Sequence, residues 1–219
     1  MESPGLHTVP PAPEGTRLAL IEAGFRLFAA QGFDGASTRR IAAAAGTNVA
    51  SIAYHFGGKA GLRAACGDEF ARRMSVLLGA GGMAPPRDAA AARADLHAFV
   101  GRIARFAVAS EAASTMVGFM LRELAEDGQN LARLYAGLFE PLHRQLCLLW
   151  SAATGRPAED PQVRLAIFTL LGQVFYFRIG RPLVLRRMGW DGLDGPALAA
   201  ILDRLHRNID AMLDSEVAG

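Results

Sequence analysis

The sequence predicts an all-α protein, with an N-terminal three-helix helix-turn-helix domain and a larger C-terminal helical domain. The helical reading rests on three observations. Apolar residues recur at helical spacing over long stretches, strand-type alternation is nearly absent, and glycine- and proline-bearing breaks separate the stretches. With 219 residues, 51% of them hydrophobic and 20% charged, the chain has a globular composition and enough length to bury a core.

In chain order, Met1–Gly15 carries Pro4, Pro10, Pro11 and Pro13 with neither a basic n-region nor an apolar run, so it reads as a flexible lead-in rather than a signal peptide. The first helix is expected from a Thr16 cap to Gln31. Leu18, Ile21, Phe25 and Phe28 lie on one face, Arg17, Glu22 and Arg26 on the other, and Gly32 is placed to end it. Ser37 and Thr38 can cap a second helix through about Ala44, broken by Gly46. A third runs from about Val49 to His55, closed by Gly57-Gly58. A fourth starts near Lys59 and carries Leu62, Phe70, Met74 and Leu77 into the Gly79–Pro86 linker. Further helices are expected near 88–110, 112–126, 129–153, 161–187 and 196–214, with Pro141 and Pro182 each kinking or restarting its helix. The domain division that follows is 1–15 lead-in, 16–60 helix-turn-helix domain, and 61–219 C-terminal helical domain.

The net charge is only +2, so any nucleic-acid binding must come from a local surface. Lys59 is the sole lysine; the arginine excess fits a GC-rich coding bias as well as it fits phosphate recognition. Cys66 and Cys147 stand far apart without metal or redox spacing, which points to a reduced, cytoplasmic protein. No membrane partner is expected: the most apolar stretch, Leu165–Leu185, is cut by Gln173, Arg178, Arg181 and Pro182.

The informative segment is Gly32–Lys59. Two helices this short cannot stand alone and need the first helix as a base. Alanines at 42–45 and Gly46 permit the close crossing and sharp turn of a helix-turn-helix, whose second helix enters the major groove. Thr47, Asn48, Ala50 and Ser51 are then the candidates for base edges; Asn48 can hydrogen-bond adenine, and the Ala50 methyl can meet a thymine methyl. Thr38, Arg39, Tyr54, His55 and Lys59 ring this helix as phosphate partners. From Gly35 to Gly67 there is no acidic residue, while Arg39, Arg40, Lys59 and Arg63 are present, which suits a polyanion. Pro161–Trp190 is also acid-free, but there the apolar pattern argues for a buried helix face. The competing view makes these small helices the interior of an all-α enzyme, with Tyr54 and Phe56 as core aromatics. Ile52 and Phe56 fit a core on either view.

Thr16–Lys59 resembles the DNA-binding domain of TetR-type transcriptional regulators. The resemblance lies in the Thr-x-x-Ile-Ala-x-x-Ala-Gly turn, Thr38–Gly46, and in the Tyr-His-Phe-x-x-Lys ending, Tyr54–Lys59. The runs Asn48–Ile52 and Tyr54–Phe56 are similar to the CecR-like subgroup, as more loosely are Phe119–Glu123 and Gly172–Phe177. The resemblance implies phosphate contacts from Thr38, Tyr54 and Lys59 and groove contacts from Thr47 to Ser51. Two departures stand out: Thr47 where a valine is common, and Ala60-Gly61 where acidic residues are common. It further implies that 61–219 is an effector-binding and dimerisation domain, with a homodimer formed through the last two long helices and a palindromic double-stranded operator. On that basis Leu198, Ile201, Leu202, Leu205, Ile209 and Leu213 form a stripe suited either to a four-helix dimer bundle or to an intrachain core.

A pocket for a small amphipathic organic effector is expected among the middle helices. Met116, Phe119, Met120, Phe139, Trp150, Phe175 and Phe177 are the apolar candidates, and Arg122, Glu123, His143, Gln173 and Arg178 the polar ones. Any of the apolar set can equally be core, and Arg122 can pair with Glu126 on the surface. Effector release of the operator, hence repression, is the family pattern. Glu140, His143 and Cys147 share a helical face, but no metal site, catalytic residue or cofactor is expected. The chain has no G-x-S-x-G, P-loop, G-x-G-x-x-G after a strand, or H-E-x-x-H. The alternative function is an all-helical enzyme or small-molecule-binding protein without DNA binding.

Overall fold

The computed structural model describes residues 14–79, 85–110, 112–126 and 128–217, and every regular element among them is helical. The lead-in expected over 1–15 therefore lies outside the described residues, except for Glu14 and Gly15. These two already belong to α1, Glu14–Gly35, so this helix starts ahead of the expected Thr16 cap. The chain divides into two compact units, Met1–Glu69 and Phe70–Gly219.

In the N-terminal unit α1 is followed by α2, Thr38–Ala44, α3, Val49–Phe56, and the first part of α4, Lys59–Leu78. The regular course of α1 is interrupted at Gly32, as expected. Its buried face is Leu20, Ile21, Phe25 and Phe28, while Leu18, expected on that face, is 49% exposed. Ile41 and Ala42 of α2, Ile52 of α3 and Leu62 of α4 complete the core. Phe56 is half-buried, with the Arg17 guanidinium 5.5 Å from its ring centroid.

The C-terminal unit is built on α5, Ala89–Ala104, packed against α8, Glu140–Thr154. Around them lie α6, Ala112–Glu126, α7, Gln129–Leu134, α9, Pro161–Ile179, α10, Arg181–Met188, and α11, Gly195–Val217. Asp88 caps α5 by accepting from the Ala91 N–H at 2.7 Å, and Asp160 caps α9 through the Gln162 N–H at 2.8 Å. Leu96, Phe99, Val100, Leu146, Trp150, Ile167 and Leu170 form the centre of the core.

Both expected proline effects are present, in different forms. Pro141 follows a widened, π-helical stretch over Tyr135–Phe139, which accommodates a residue that cannot donate to the preceding turn. Pro182 sits in the first turn of α10, where Gly180 separates α9 from α10 and the axis bends by 75°. A second π-helical stretch, Arg105–Ala109, closes α5.

The α11 stripe resolves in favour of the intrachain core. Ile201, Leu205, Ile209 and Leu213 are buried against the chain's own helices, so they are not available to a partner. A polar seam fastens α11 to α5. Arg93 donates to Asp210 at 2.9 Å and to Asp214 at 2.5 Å, His97 lies 3.0 Å from Asp210, and His97 stacks on His206 with centroids 4.6 Å apart. Burial, followed by the neighbouring His97, pushes the pKa of His206 down.

The expectation for α9 also changes. Val163, Ile167, Leu170 and Val174 are buried, but Leu165, Phe168, Tyr176 and Ile179 form a second apolar face that the chain leaves open; Phe168 is 62% exposed. An acid-free stretch with apolar residues on both sides of a helix reads as buried all round, and only the fold reveals that one side stays largely exposed among the described residues, with the Phe168 ring beside His143 at 4.3 Å. No single helix among the described residues is long and apolar enough to cross a membrane.

Candidate nucleic-acid interface

The turn between α2 and α3 follows from its residues. The Ala45 N–H donates to Ile41 O at 3.0 Å, and the Thr47 N–H reaches back to Ala42 O at 2.9 Å. Gly46 between them has φ +66°, a left-handed conformation that costs a side-chain-bearing residue about 1 kcal/mol or more. Ser37 stands at the N-cap of α2 without a side-chain cap bond; its carbonyl accepts from the Ile41 N–H at 2.9 Å.

Asn48 is the N-cap of α3. Its Oδ1 accepts from the Ser51 N–H at 3.1 Å and from the Ser51 hydroxyl at 3.3 Å, while Thr47 Oγ1 lies 2.9 Å from Ser51 Oγ. Three of the four groove candidates are thus tied to one another at the start of the helix. This narrows the expectation for Asn48. A bidentate contact to adenine needs both ends of the amide, and the oxygen end is occupied by the cap, which leaves Nδ2 to donate. Ala50 is exposed beside them.

The phosphate candidates are placed unequally. Thr38 is half-buried at the first position of α2 and Arg39 is exposed next to it. Tyr54 is 59% exposed and rests edge-on against His55, with centroids 5.1 Å apart. His55 itself has its Nε2 buried without a hydrogen-bond partner, so that edge of the ring is closed to a phosphate. Lys59 lies over the Phe33 ring, Nζ 4.4 Å from the centroid, and donates to Asp34 O at 3.4 Å. Arg63 stacks on the same ring at 5.0 Å. Phe33 is therefore a platform that holds two cations in place, a role its sequence position did not reveal.

Gly61 also gains a reason. A Cβ there would stand 1.7 Å from Phe56 O, so α4 can start against the end of α3 only with glycine. The departure at position 61 therefore has a steric reason, whereas nothing in the structure explains the one at Ala60.

In the C-terminal unit the effector candidates scatter. Met116, Phe119 and Met120 are buried on α6, with Glu123 2% exposed one turn on, while Arg122 is exposed. Trp150 is fully buried, and its indole N–H donates to Glu216 at 2.9 Å. Gln173 accepts from Asn208 at 2.7 Å and lies 3.7 Å from Met212 Sδ, tying α9 to α11. Phe139, Phe175, Phe177 and Arg178 are half-buried, and Phe177 lines a cavity between α9, α10 and α11. Asn130, not singled out from sequence, is buried with neither amide atom partnered.

His143 Nδ1 lies 3.5 Å from Cys147 Sγ, and burial pushes this thiol up to about 11. Glu140 pairs with Arg144, so the three-residue face considered for a metal is divided. Among the described residues no group of His, Cys, Asp or Glu is arranged to hold a metal ion.

The comparisons with known proteins agree with this geometry. Residues 20–66 match the family model of bacterial regulatory proteins of the tetR family. Residues 92–215, more than half of the chain, match the C-terminal domain of the HTH-type transcriptional dual regulator CecR. The chain is 29% identical to that regulator from Shigella flexneri over 211 residues, covering 91% of this chain and 92% of the relative. Its fold resembles a putative transcriptional regulator from Pseudomonas aeruginosa PAO1, with TM-score 0.68 and 23% identity over 96% of this chain and 94% of that one. It also resembles AibR in complex with isovaleryl coenzyme A and operator DNA, with TM-score 0.65 and 21% identity over 87% of this chain and 96% of that one. The chain belongs to the TetR family of bacterial transcriptional regulators, close to CecR, and carries that family's DNA-binding domain rather than the machinery of an enzyme.

Proposed function

We propose that this protein is a homodimeric, cytoplasmic operator-binding repressor, released from a palindromic site by a small amphipathic organic effector. The observation that carries the operator reading is the entry of α3. Asn48, Thr47 and Ser51 form a hydrogen-bonded cap beside exposed Ala50 and Tyr54, on a surface without carboxylates from Gly35 to Gly67. The N-terminal end of a helix carries partial positive charge, and here nothing negative in the surrounding sequence competes with a phosphate backbone. Thr38, Arg39, Tyr54 and Lys59 are assigned to phosphates, Thr47, Asn48, Ala50 and Ser51 to the groove, and His55 to orienting Tyr54.

The open face of α9 supports the dimer. Leu165, Phe168 and Ile179 flank Gly172, where a Cβ would meet nothing within 4 Å, so a second copy of the same helix can approach closely. An isologous dimer holds two recognition helices about one DNA turn apart, ~34 Å.

Effector binding is assigned to the C-terminal unit. The unpartnered Asn130 on α7 is a polar group whose burial a ligand would offset, and Met116, Phe119 and Met120 on α6 supply apolar surface. Phe139, His143, Phe175, Phe177 and Arg178 remain assigned to the effector, whereas Trp150 and Gln173 act through the helices they tie together. A neighbour of the same fold, AibR, was crystallised in complex with isovaleryl coenzyme A and operator DNA, which supports the pairing of an effector site with an operator-binding unit. Release is a population shift: the effector favours a form whose recognition helices are wrongly spaced, typically with ~1–3 kcal/mol of coupling.

The test is selection of random duplex DNA on purified protein at two salt concentrations, read by sequencing. A palindromic consensus whose enrichment falls steeply with salt is expected. No enrichment, or enrichment of isolated half-sites, overturns the operator or the dimer reading respectively.

A further inference from the structure

The bend between α9 and α10 produces a feature that DNA binding does not use. The αL residue Gly189 ends α10, and the Trp190 N–H donates back to Leu185 O at 3.1 Å, which folds the indole towards α11. A cavity of about 560 Å³ results, within the ~300–1,000 Å³ of small-molecule sites. Tyr176, Met188, Trp190 and Ile201 give it apolar walls, and Arg187 and Arg204 enter it from α10 and α11.

Neither arginine has a carboxylate partner among the described residues. On α11 the nearest acid in sequence, Asp203, is taken by Arg207. Asp191 and Asp194 follow in the loop after Trp190 but do not line the cavity. Arg186 adds positive charge on the exposed side of α10, and no acidic residue occurs from Pro161 to Trp190. An apolar cavity with two unpaired guanidinium groups is complementary to one kind of molecule: a hydrophobic body ending in a carboxylate, sulfonate or phosphate.

We propose that this groove between α9, α10 and α11 binds small amphipathic anions, with the hydrophobic part against Trp190, Met188 and Tyr176 and the anionic head between Arg187 and Arg204. The site is separate from the α6–α7 candidates but shares Phe177 with the residues assigned to the effector, and its chemistry does not depend on the operator reading. Tyr176 borders both this groove and the open face of α9, so a ligand here would sit beside the proposed subunit contact.

The probe is 8-anilinonaphthalene-1-sulfonate, titrated by fluorescence against the full chain and compared with the uncharged N-phenyl-1-naphthylamine. Both are expected to bind, and Trp190→Phe to reduce energy transfer to the bound probe while Trp150 emission remains. The double variant Arg187→Gln, Arg204→Gln is expected to weaken the sulfonate about tenfold or more and the neutral probe less than twofold. Ala200→Trp, which fills the groove from an exposed position on α11, is expected to abolish binding of both. Equal weakening of the two probes by the arginine substitutions overturns the anion preference. Binding that survives Ala200→Trp places the site elsewhere, and no binding of the sulfonate to the native protein overturns the proposal. Circular dichroism confirms that the variants fold, and retention on heparin reads the DNA-binding unit separately, so the two readings fail independently.

Discussion

Helix α3 and helix α9 both keep much of their surface out of the core, but with opposite chemistry. α3 is eight residues long, held by a side-chain cap at one end and a left-handed glycine at the other, and it offers small polar groups with a tyrosine hydroxyl. α9 spans 19 residues and offers Leu165, Phe168, Tyr176 and Ile179 around Gly172. A short polar helix end suits a polyanion, whose contacts are hydrogen bonds and charge. A long apolar face suits another protein surface, where area removed from water is the driving force. The outward side of each helix thus names the class of its partner.

The largest effect is expected from breaking the apolar side of this pair. Phe168→Glu places a charge where the second copy would pack. Sedimentation should show a monomer, and operator affinity should fall on the order of 100-fold or more, because two half-sites are no longer engaged together. An unchanged dimer with unchanged affinity would remove α9 from the interface.

The polar side is broken next. Tyr54→Phe combined with Lys59→Gln removes two charge-assisted contacts in each protomer, each worth ~1.5–3 kcal/mol, so affinity should fall at least about 100-fold while the dimer persists. The slope of log affinity against log salt should become shallower by about 2, about 1 for the lysine lost from each protomer. A drop in affinity without a change in slope would mean that Lys59 serves Phe33 and Asp34 rather than phosphate.

Glycines at the two sites sharpen the comparison further. Gly61→Ala drives a Cβ into Phe56 O and should lower stability by ~1–3 kcal/mol, seen as an earlier melting transition. Gly172→Ala meets nothing and should be neutral or stabilise the single chain by up to ~1 kcal/mol, although it can weaken the dimer by holding two helices apart. Equal destabilisation by both would show that neither position is special.

Legibility from sequence follows the same division. The α2–turn–α3 geometry is legible because turn and charge are local, Gly46 and the acid-free stretch acting within a few residues of one another, whereas the side-chain cap falls on Asn48, read from sequence only as a base contact, and not on Ser37. Gly61 was seen as a departure but not understood, since its neighbour is a carbonyl across a helix junction. On α9 and α11 periodicity located the stripes but could not say which of them pack inside the chain. The stripe at Ile201, Leu205, Ile209 and Leu213 turned out to be core, whereas the open face lay on α9, where apolar residues surround the helix and the periodic signal cancels. The effector candidates suffered similarly, because Trp150 and Gln173 have partners 66 and 35 residues away in sequence.

The smallest effect separates two duties of one residue. Asn48→Ala removes the cap of α3 and should cost ~1 kcal/mol of stability. Asn48→Asp keeps an acceptor for the Ser51 N–H, so stability should stay within ~0.5 kcal/mol of the native protein, but it replaces the free Nδ2 donor by negative charge facing DNA. If Asn48 also reads a base, both variants relax sequence preference at one operator position, by ~1–3 kcal/mol of discrimination. If it is only a cap, Asn48→Ala leaves the selected consensus unchanged, and Asn48→Asp weakens all sequences alike through repulsion of the phosphates. Selection on the two variants beside the native chain decides between these, because loss at one position and uniform loss give different consensus profiles even when total affinity falls by the same amount.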